Sequence, residues 1–250
     1  MENKNELNRF IEYIKDSKRI VFFGGAGVST ESGIPDFRSK DGLYNQKDVD
    51  FEQYNPEYLL SRECLYHNPK VFFAFYRQKM DTRSVHPNIT HQVLAKLEEC
   101  GKLSAIITQN IDGLHQKAGS KKVLEIHGTT QRCYCTKCRT EYDGGHIFTS
   151  RDVIPRCPSC GGMVRPDVVL YGERVQHERE AIHAIHDADM LIVGGTSLQV
   201  YPAGSYIRLF NGDCLAVINL EPVGVPLGKE DIFIQGNLGE VFSEVDKVLF

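Results

Sequence analysis

The chain has 250 residues, 41% hydrophobic and 25% charged, with 29 basic against 33 acidic side chains and a formal net charge of −4. That length buries one sizeable core with room for a small satellite domain. The mild acidity argues against nucleic acid or an anionic membrane as the main partner, and no apolar run approaches the ~18 residues needed to cross a bilayer.

The opening MENKNELNRF has no apolar core, so no secretory signal is expected and the protein is placed in the cytoplasm. The eight cysteines then read as reduced thiols or metal ligands rather than disulfides. Apolar residues at Leu7, Phe10, Ile11 and Ile14 predict a helix over 5–17. The run Ile20–Phe23 predicts a buried strand, and a glycine cluster follows it in GGAGVSTESGIPDFR, residues 24–38. Gly25 and Gly27 permit positive φ and close approach of a phosphate to the backbone. A helix starting near Ser29 would aim its free N–H groups at the same spot, which suits a pyrophosphate. The block departs from the dinucleotide fingerprint, however, with Thr30 where a third glycine is expected and Gly33 as the next one.

Residues 41–80 are rich in Tyr, Phe and charge and predict inserted helices and loops, with Phe72, Phe73, Phe75 and Tyr76 as a small packing core. A helix is expected over Val85–Cys100 and a strand over Ser104–Thr108. TQNIDGLH follows that strand, so Asn110 and Asp112 stand where parallel sheets bind ligands. Asp112-Gly113 also fits a capped turn into the next helix, and local sequence does not separate the two readings. His127, in VLEIHG, ends another short apolar segment just before the cysteine cluster. Its near-neutral intrinsic pKa suits a general base facing a cleft.

Residues 132–164 hold five cysteines and little apolar material. Cys135-x-x-Cys138 and Cys157-x-x-Cys160, 18 residues apart, form two knuckles whose four thiolates suit tetrahedral Zn(II) in a closed, structural site. Cys133 competes with Cys135 for one ligand position; Cys135 is favoured because it completes the two-residue gap. Cys64, Cys100 and Cys214 read as inert core thiols. A helix is expected over Glu178–Asp187, with His183 and His186 on a solvated face, and strands over Met190–Val193 and Leu215–Leu220. Short apolar strands separated by helices predict a parallel sheet covered on both faces. GGTSL after the first of these strands, and Asn219 and Glu221 at the end of the second, are small or polar residues that suit phosphate and ribose.

Taken in order, GAGVSTESGIPDFR, TQNIDGLH, EIHG, the two C-x-x-C knuckles, VVLYGE, GTSLQVYP and VINLE resemble the sirtuin family of NAD-dependent protein deacylases over about residues 18 to 221. The resemblance implies an α/β fold: a Rossmann-like parallel-sheet domain (1–40, 81–131 and 165–250) with a smaller lobe. That lobe is made of a helical insertion (41–80) and a zinc ribbon (132–164). NAD is implied as a consumed co-substrate beside one structural Zn(II). By position, Gly25, Ala26, Thr30 and Arg38 would contact pyrophosphate and ribose, and Phe37 the nicotinamide end. Gln109, Asn110, Ile111 and Asp112 would line the nicotinamide pocket, and Gly195, Thr196, Ser197, Asn219 and Glu221 the adenosine side.

Catalysis is carried over to His127 as base, with Asn110 and Asp112. Val168, Val169, Leu170, Tyr171, Gly172 and Glu173, with Leu198 and Val200, would bracket an acyl-lysine peptide as an added strand. The implied products are free lysine, nicotinamide and O-acyl-ADP-ribose. The expected partners are acyl-lysine-containing proteins or peptides and NAD, without direct nucleic acid or membrane, and the protein is expected to be a monomer. Gly24 departs from the threonine common in the family. The Tyr-x-x-Arg pair shared by members that remove succinyl or malonyl groups is missing between residues 41 and 85, where Tyr76 is followed by Lys79; a neutral acyl group is therefore expected. ADP-ribosyl transfer from the same NAD pocket, and non-catalytic NAD sensing, are the competing readings.

Overall fold

The computed structural model describes residues 2–36, 42, 43 and 50–250; Phe37 and Arg38 lie outside the described residues. Helix α1 (Glu2–Asp16) buries Phe10, Ile11 and Ile14, and leads into strand β1 (Ile20–Gly24), all five of whose residues are buried. Three helices follow: α2 (Pro56–Leu59), α3 (Arg62–His67) and α4 (Pro69–Lys79). Asn55 and Ser61 start the first two by accepting from the N–H groups of Glu57 and Cys64. Next come α5 (Ile89–Glu99), β2 (Leu103–Thr108), the single turn α6 (Leu114–Lys117) and β3 (Val123–Glu125).

The chain then leaves for a second sheet made of β4 (Gly128–Cys135), β5 (Glu141–Asp143) and β6 (Val164–Val168), with α7 (Gly145–Thr149) between the last two. It returns through α8 (Glu178–Asp187), β7 (Met190–Gly194), β8 (Cys214–Asn219), β9 (Ile232–Gln235) and α9 (Leu238–Leu249). The large sheet runs β3-β2-β1-β7-β8-β9, all parallel, and the small one β5-β4-β6, antiparallel. Chain order reverses between β1 and β7, so a crevice opens there, beyond the carboxyl ends of the strands. No described helix is long and apolar enough to cross a membrane.

Side chains of β1 alternate between two cores. Ile20 and Phe22 pack with Phe10, Leu94, Leu97 and Phe242, while Val21 and Phe23 pack with Ile107, Ile185, Tyr206 and Val217. Both faces being covered, the strand reads as a continuous apolar run. A third core joins the inserted helices to the small sheet: Leu65, Phe72, Phe73, Phe75 and Tyr76 pack with Cys133, Ile147, Val164 and Leu170. The aromatics of residues 72–76 are thus core, and they supply the apolar mass that the cysteine-rich segment lacks.

Four local expectations are corrected. No α-helix starts near Ser29; Ala26–Val28 and Thr30–Ser32 form two 3-10 turns. The glycines and Pro35 of this stretch disfavour a helix, and Gly33 reverses the chain at φ 88° so that the Ile34 N–H returns to the Ser29 carbonyl at 3.2 Å. Helix α5 starts at Ile89, not Val85, because extended Asn88 caps it, accepting from the Thr90 N–H at 3.0 Å. Leu220 falls beyond β8 and is exposed. Cys100 is exposed rather than core, whereas Cys64 and Cys214 are fully buried, and burial pushes their thiols up to about 11 and about 12. His183 and His186 are exposed and flank the Asp187 carboxylate at 3.3 and 3.2 Å, as a solvated face would have them.

His91 on α5 and His115 on α6 are buried with ring centroids 4.7 Å apart, and His91 Nε2 and both His115 nitrogens lack hydrogen-bond partners. Burial lowers His91 to about 4 and His115 well below its usual value. Both are neutral in the fold but take up protons once unfolded below pH ~6.5. Their share of stability is therefore complete above that pH and is lost as pH falls toward 4. Urea unfolding should show His91 alone costing about 2 kcal/mol between pH 7.5 and 5, and the pH dependence should shrink in His91→Asn.

Candidate active site

The crevice between β1 and β7 widens into a cavity of about 660 Å³. Its floor comes from strand ends: Ala26, Gly27 and Thr30 after β1, Gln109, Asn110 and Ile111 after β2, Gly195, Thr196 and Ser197 after β7, and Asn219 at the end of β8 with Glu221 beyond it. The opposite wall is Val168–Glu173 with Leu60 and Tyr76, and His127 and Val200 line the cavity as well. Two loops are zipped across the floor, the Gly25 N–H bonding the Gly194 carbonyl at 3.2 Å and the Gly27 N–H the Gly195 carbonyl at 2.8 Å. A Cβ on Gly27 would lie 2.7 Å from the Gly195 Cα, so glycine is required at this contact. Gly25, Leu198 and Asp112 do not line the cavity. Gly25 is turned into the loop contact, and the Leu198 N–H folds back onto Thr196 Oγ1 at 3.2 Å.

Asp112 stands behind the floor. Its Oδ1 accepts from the Leu114 N–H at 2.9 Å and its Oδ2 from Ser29 Oγ at 2.7 Å, while Ser29 Oγ accepts from Asn110 Nδ2 at 3.0 Å. The carboxylate holds the first N–H of α6 with one oxygen, as the capped-turn reading has it, and reaches the cavity-lining amide of Asn110 only through Ser29 with the other. Burial raises the Asp112 pKa against the pull of Leu114, Ser29 and Lys117. Ser29 was not among the expected site residues. Its signal was its place inside the glycine block, where it read only as a helix start. Glu31, Asp36, Gln199 and Tyr201, which lie inside quoted motifs but were given no role, also line the cavity, as does Asn237, which lies outside every motif.

His127 lies where the chain passes from β3 to β4. Its Nδ1 is 3.0 Å from the Gln109 carbonyl oxygen. A carbonyl only accepts, so Nδ1 carries the proton and Nε2 is left as the basic nitrogen. Burial lowers the His127 pKa, with the Gln109 carbonyl opposing, so the ring is neutral near pH 7. The His127 carbonyl in turn accepts from the Val169 N–H at 2.8 Å.

The wall segment is braced from behind. Arg165, only 4% exposed, bonds both Glu173 oxygens at 2.6 and 2.9 Å and the Val168 carbonyl at 2.8 Å, and Glu173 also accepts from the Leu170 N–H at 3.0 Å. Burial opposes both charges, yet the pairing leaves Arg165 raised and Glu173 lowered. Tyr171 is tied to the helical insertion through the Leu60 carbonyl and the Arg62 N–H, both at 3.0 Å. Arg165→Met leaves the half-buried Glu173 carboxylate without its cation, and urea unfolding should show a loss of about 1–3 kcal/mol.

Cys135, Cys138, Cys157 and Cys160 bring their sulfurs within 4.8 Å of one another, with 3.5 Å from Cys135 to Cys160 and 3.6 Å from Cys138 to Cys157. A tetrahedron with Zn–S of about 2.3 Å has edges of about 3.8 Å, so the donor set fits zinc with no open position. A Cβ on Gly162 would come within 2.9 Å of Cys135 Sγ, so the knuckle closes around the sulfurs. Cys133 points away, donating to the carbonyls of Tyr142 and Asp143, and burial pushes its thiol up to about 12. The cluster begins at the far end of β4 from His127, roughly 20 Å along the strand, so the metal is structural.

Residues 25–202 match the Sir2 family pattern. The chain belongs to the Sir2 family. This Sir2 chain is 51% identical to an NAD-dependent protein deacetylase of Clostridium perfringens over 96% of its own length and 98% of that protein's. It is 48% identical to one of Clostridium acetobutylicum with the same coverage. Among solved structures it is similar to a Sir2 protein with a deacetylated p53 peptide and 3'-O-acetyl-ADP-ribose (TM-score 0.85, 33% identity, 97% of this chain and 98% of that one). It is also similar to Sir2Tm bound to a propionylated peptide (TM-score 0.81, 32% identity, 97% and 98%).

Proposed function

We propose that the cavity takes NAD along the glycine-loop side and an acyl-lysine segment along Val168–Glu173, with His127 between them as general base. As a Sir2 protein covering almost the full length of the deacetylases it resembles, the chain is an NAD-dependent protein deacetylase. The observation that carries the residue assignment is the His127 tautomer: Nδ1 is held by the Gln109 carbonyl, leaving a basic Nε2 in a cavity it shares with Asn110.

Acyl-lysine, NAD and water enter; free lysine, nicotinamide and O-acyl-ADP-ribose leave, as the acyl oxygen displaces nicotinamide from the ribose and a ribose hydroxyl then receives the acyl group. His127 Nε2 removes the proton from that hydroxyl. Asn110, oriented through Ser29 and Asp112, presents its amide to the nicotinamide end. The zipped loops offer backbone to the pyrophosphate, and the braced wall segment gives the peptide an edge to pair with.

Among the described residues no lysine or arginine lines the cavity, while Glu31, Asp36, Glu173 and Glu221 do. A succinyl or malonyl carboxylate would meet no cation there, a cost of several kcal/mol (~10²-fold or more). Neutral acyl groups are therefore preferred. Incubation with NAD and matched acetyl- and succinyl-lysine peptides, followed by mass spectrometry, tests this directly. Succinyl turnover equal to acetyl turnover refutes the acyl preference. ADP-ribosylated protein in place of acyl-ADP-ribose refutes the deacylation chemistry.

A further inference from the structure

The four cysteines of the metal cluster stand in unequal surroundings. Cys135 and Cys157 are buried, whereas Cys138 is exposed and Cys160 partly so. Two hydroxyls reach the sulfurs from the start of β5. Thr140 Oγ1 lies 3.2 Å from Cys138 Sγ, and Tyr142 Oη lies 3.0 Å from Cys157 Sγ. Thr140 immediately precedes β5, and residues two apart on extended chain share a face, which turns both hydroxyls toward the cluster. The Tyr142 ring is also held independently of its hydroxyl. It stacks on His146, with centroids 4.9 Å apart and planes within 19°, and His146 Nε2 is 3.1 Å from the Arg156 carbonyl oxygen.

The donor set fixes the direction of these bonds. A cysteine that ligates zinc does so as a thiolate and has no proton left to give. The hydroxyls therefore donate, and a charged acceptor makes such a bond shorter and stronger. Tyr142 also hydrogen-bonds the Ser159 side chain; with its one proton directed at sulfur, it accepts from Ser159. The Thr140 bond lies at the surface, where water replaces a lost hydroxyl. Cys157 is 2% exposed, so no such replacement is at hand for the phenol.

We propose that Tyr142 is a positioning residue of the metal site: its hydroxyl donates to the Cys157 thiolate, draws off part of its charge and so helps the ribbon retain zinc. Partners of this kind around a metal's ligands are worth about 10–100-fold in affinity. The phenol acts only through sulfur; it is not itself a ligand and leaves the closed Cys135, Cys138, Cys157 and Cys160 set intact.

The test is competition between the zinc-loaded full chain and a chromogenic chelator at neutral pH. Tyr142→Phe should weaken zinc binding by about 10–100-fold, and Thr140→Val should weaken it by less. The zinc-saturated Tyr142→Phe protein should keep its circular dichroism, because the ring stays stacked on His146. Cobalt(II) loaded in place of zinc gives a second readout that packing alone would not move. The sulfur-to-cobalt charge-transfer band should shift to longer wavelength in Tyr142→Phe, since a sulfur freed of its hydrogen bond gives up electron density more readily. Zinc affinity within twofold of the unaltered protein overturns the inference. So does weaker binding with an unmoved cobalt band, which would make the ring's contribution one of packing, and so does a larger loss in Thr140→Val. An unaltered protein that shows no thiolate-to-cobalt band would overturn the four-cysteine site, and this inference with it.

Discussion

Replacing His127 with alanine should lower kcat/KM for an acetyl-lysine peptide by about 10²–10⁴-fold, the range over which a positioned general base acts. The ring is neutral because burial outweighs the stabilising Gln109 carbonyl, and its tautomer is fixed because that carbonyl can only accept. In the unaltered protein the acid limb of the kcat/KM profile should therefore fall below pH ~6.5, the ordinary histidine value, and His127→Ala should lose that limb. NAD binding, followed by calorimetry, should survive the substitution, since the floor residues belong to other strand ends. A His127→Ala protein that deacetylates within threefold of the unaltered one rules out the assignment.

Removing the metal should have the second-largest effect. Structural zinc in small domains contributes about 10–16 kcal/mol of apparent binding free energy at neutral pH, against a typical fold stability of about 5–15 kcal/mol. The small lobe's core is shared, with Phe72, Phe73 and Tyr76 packing on Cys133, Ile147 and Val164, so losing the ribbon also uncovers α4. Elemental analysis should find one zinc per chain. Chelation should abolish near-ultraviolet circular dichroism from these aromatics together with deacetylation. Cys135→Ser should lose the metal, whereas Cys133→Ser should keep it, because Cys133 faces the carbonyls of Tyr142 and Asp143. Metal loss in Cys133→Ser with retention in Cys135→Ser would reverse the ligand assignment.

Much of this architecture was legible because its strands are short, continuous apolar runs and its zinc site is two spaced knuckles. Residues whose roles depend on partners far along the chain were harder to read. Ser29 and Asp112 are 83 positions apart, and no local pattern says that one hydroxyl joins Asp112 to Asn110. Asp112 was expected either to cap a turn or to face a ligand; one oxygen holds the start of α6, the other binds Ser29, and the carboxylate stays out of the cavity. The helix expected near Ser29 failed because phosphate-binding logic was borrowed from helix termini, whereas this loop is held by carbonyls of the neighbouring β7 turn. Cys100 was misread because it lies just past Glu99, at the C-terminal cap of α5, where side chains often face solvent.

His127 is fastened at two points to two different bodies: its ring to a carbonyl that follows β2 of the large sheet, and its own carbonyl to the N–H of Val169, just past the small sheet's β6. It therefore works as a common datum. Under the proposed assignment, a dinucleotide held against the large sheet and a peptide held against the small one would each be positioned relative to the same imidazole. The two docking events would then share one origin, and misalignment in either lobe would be felt at Nε2 without having to accumulate across the cleft.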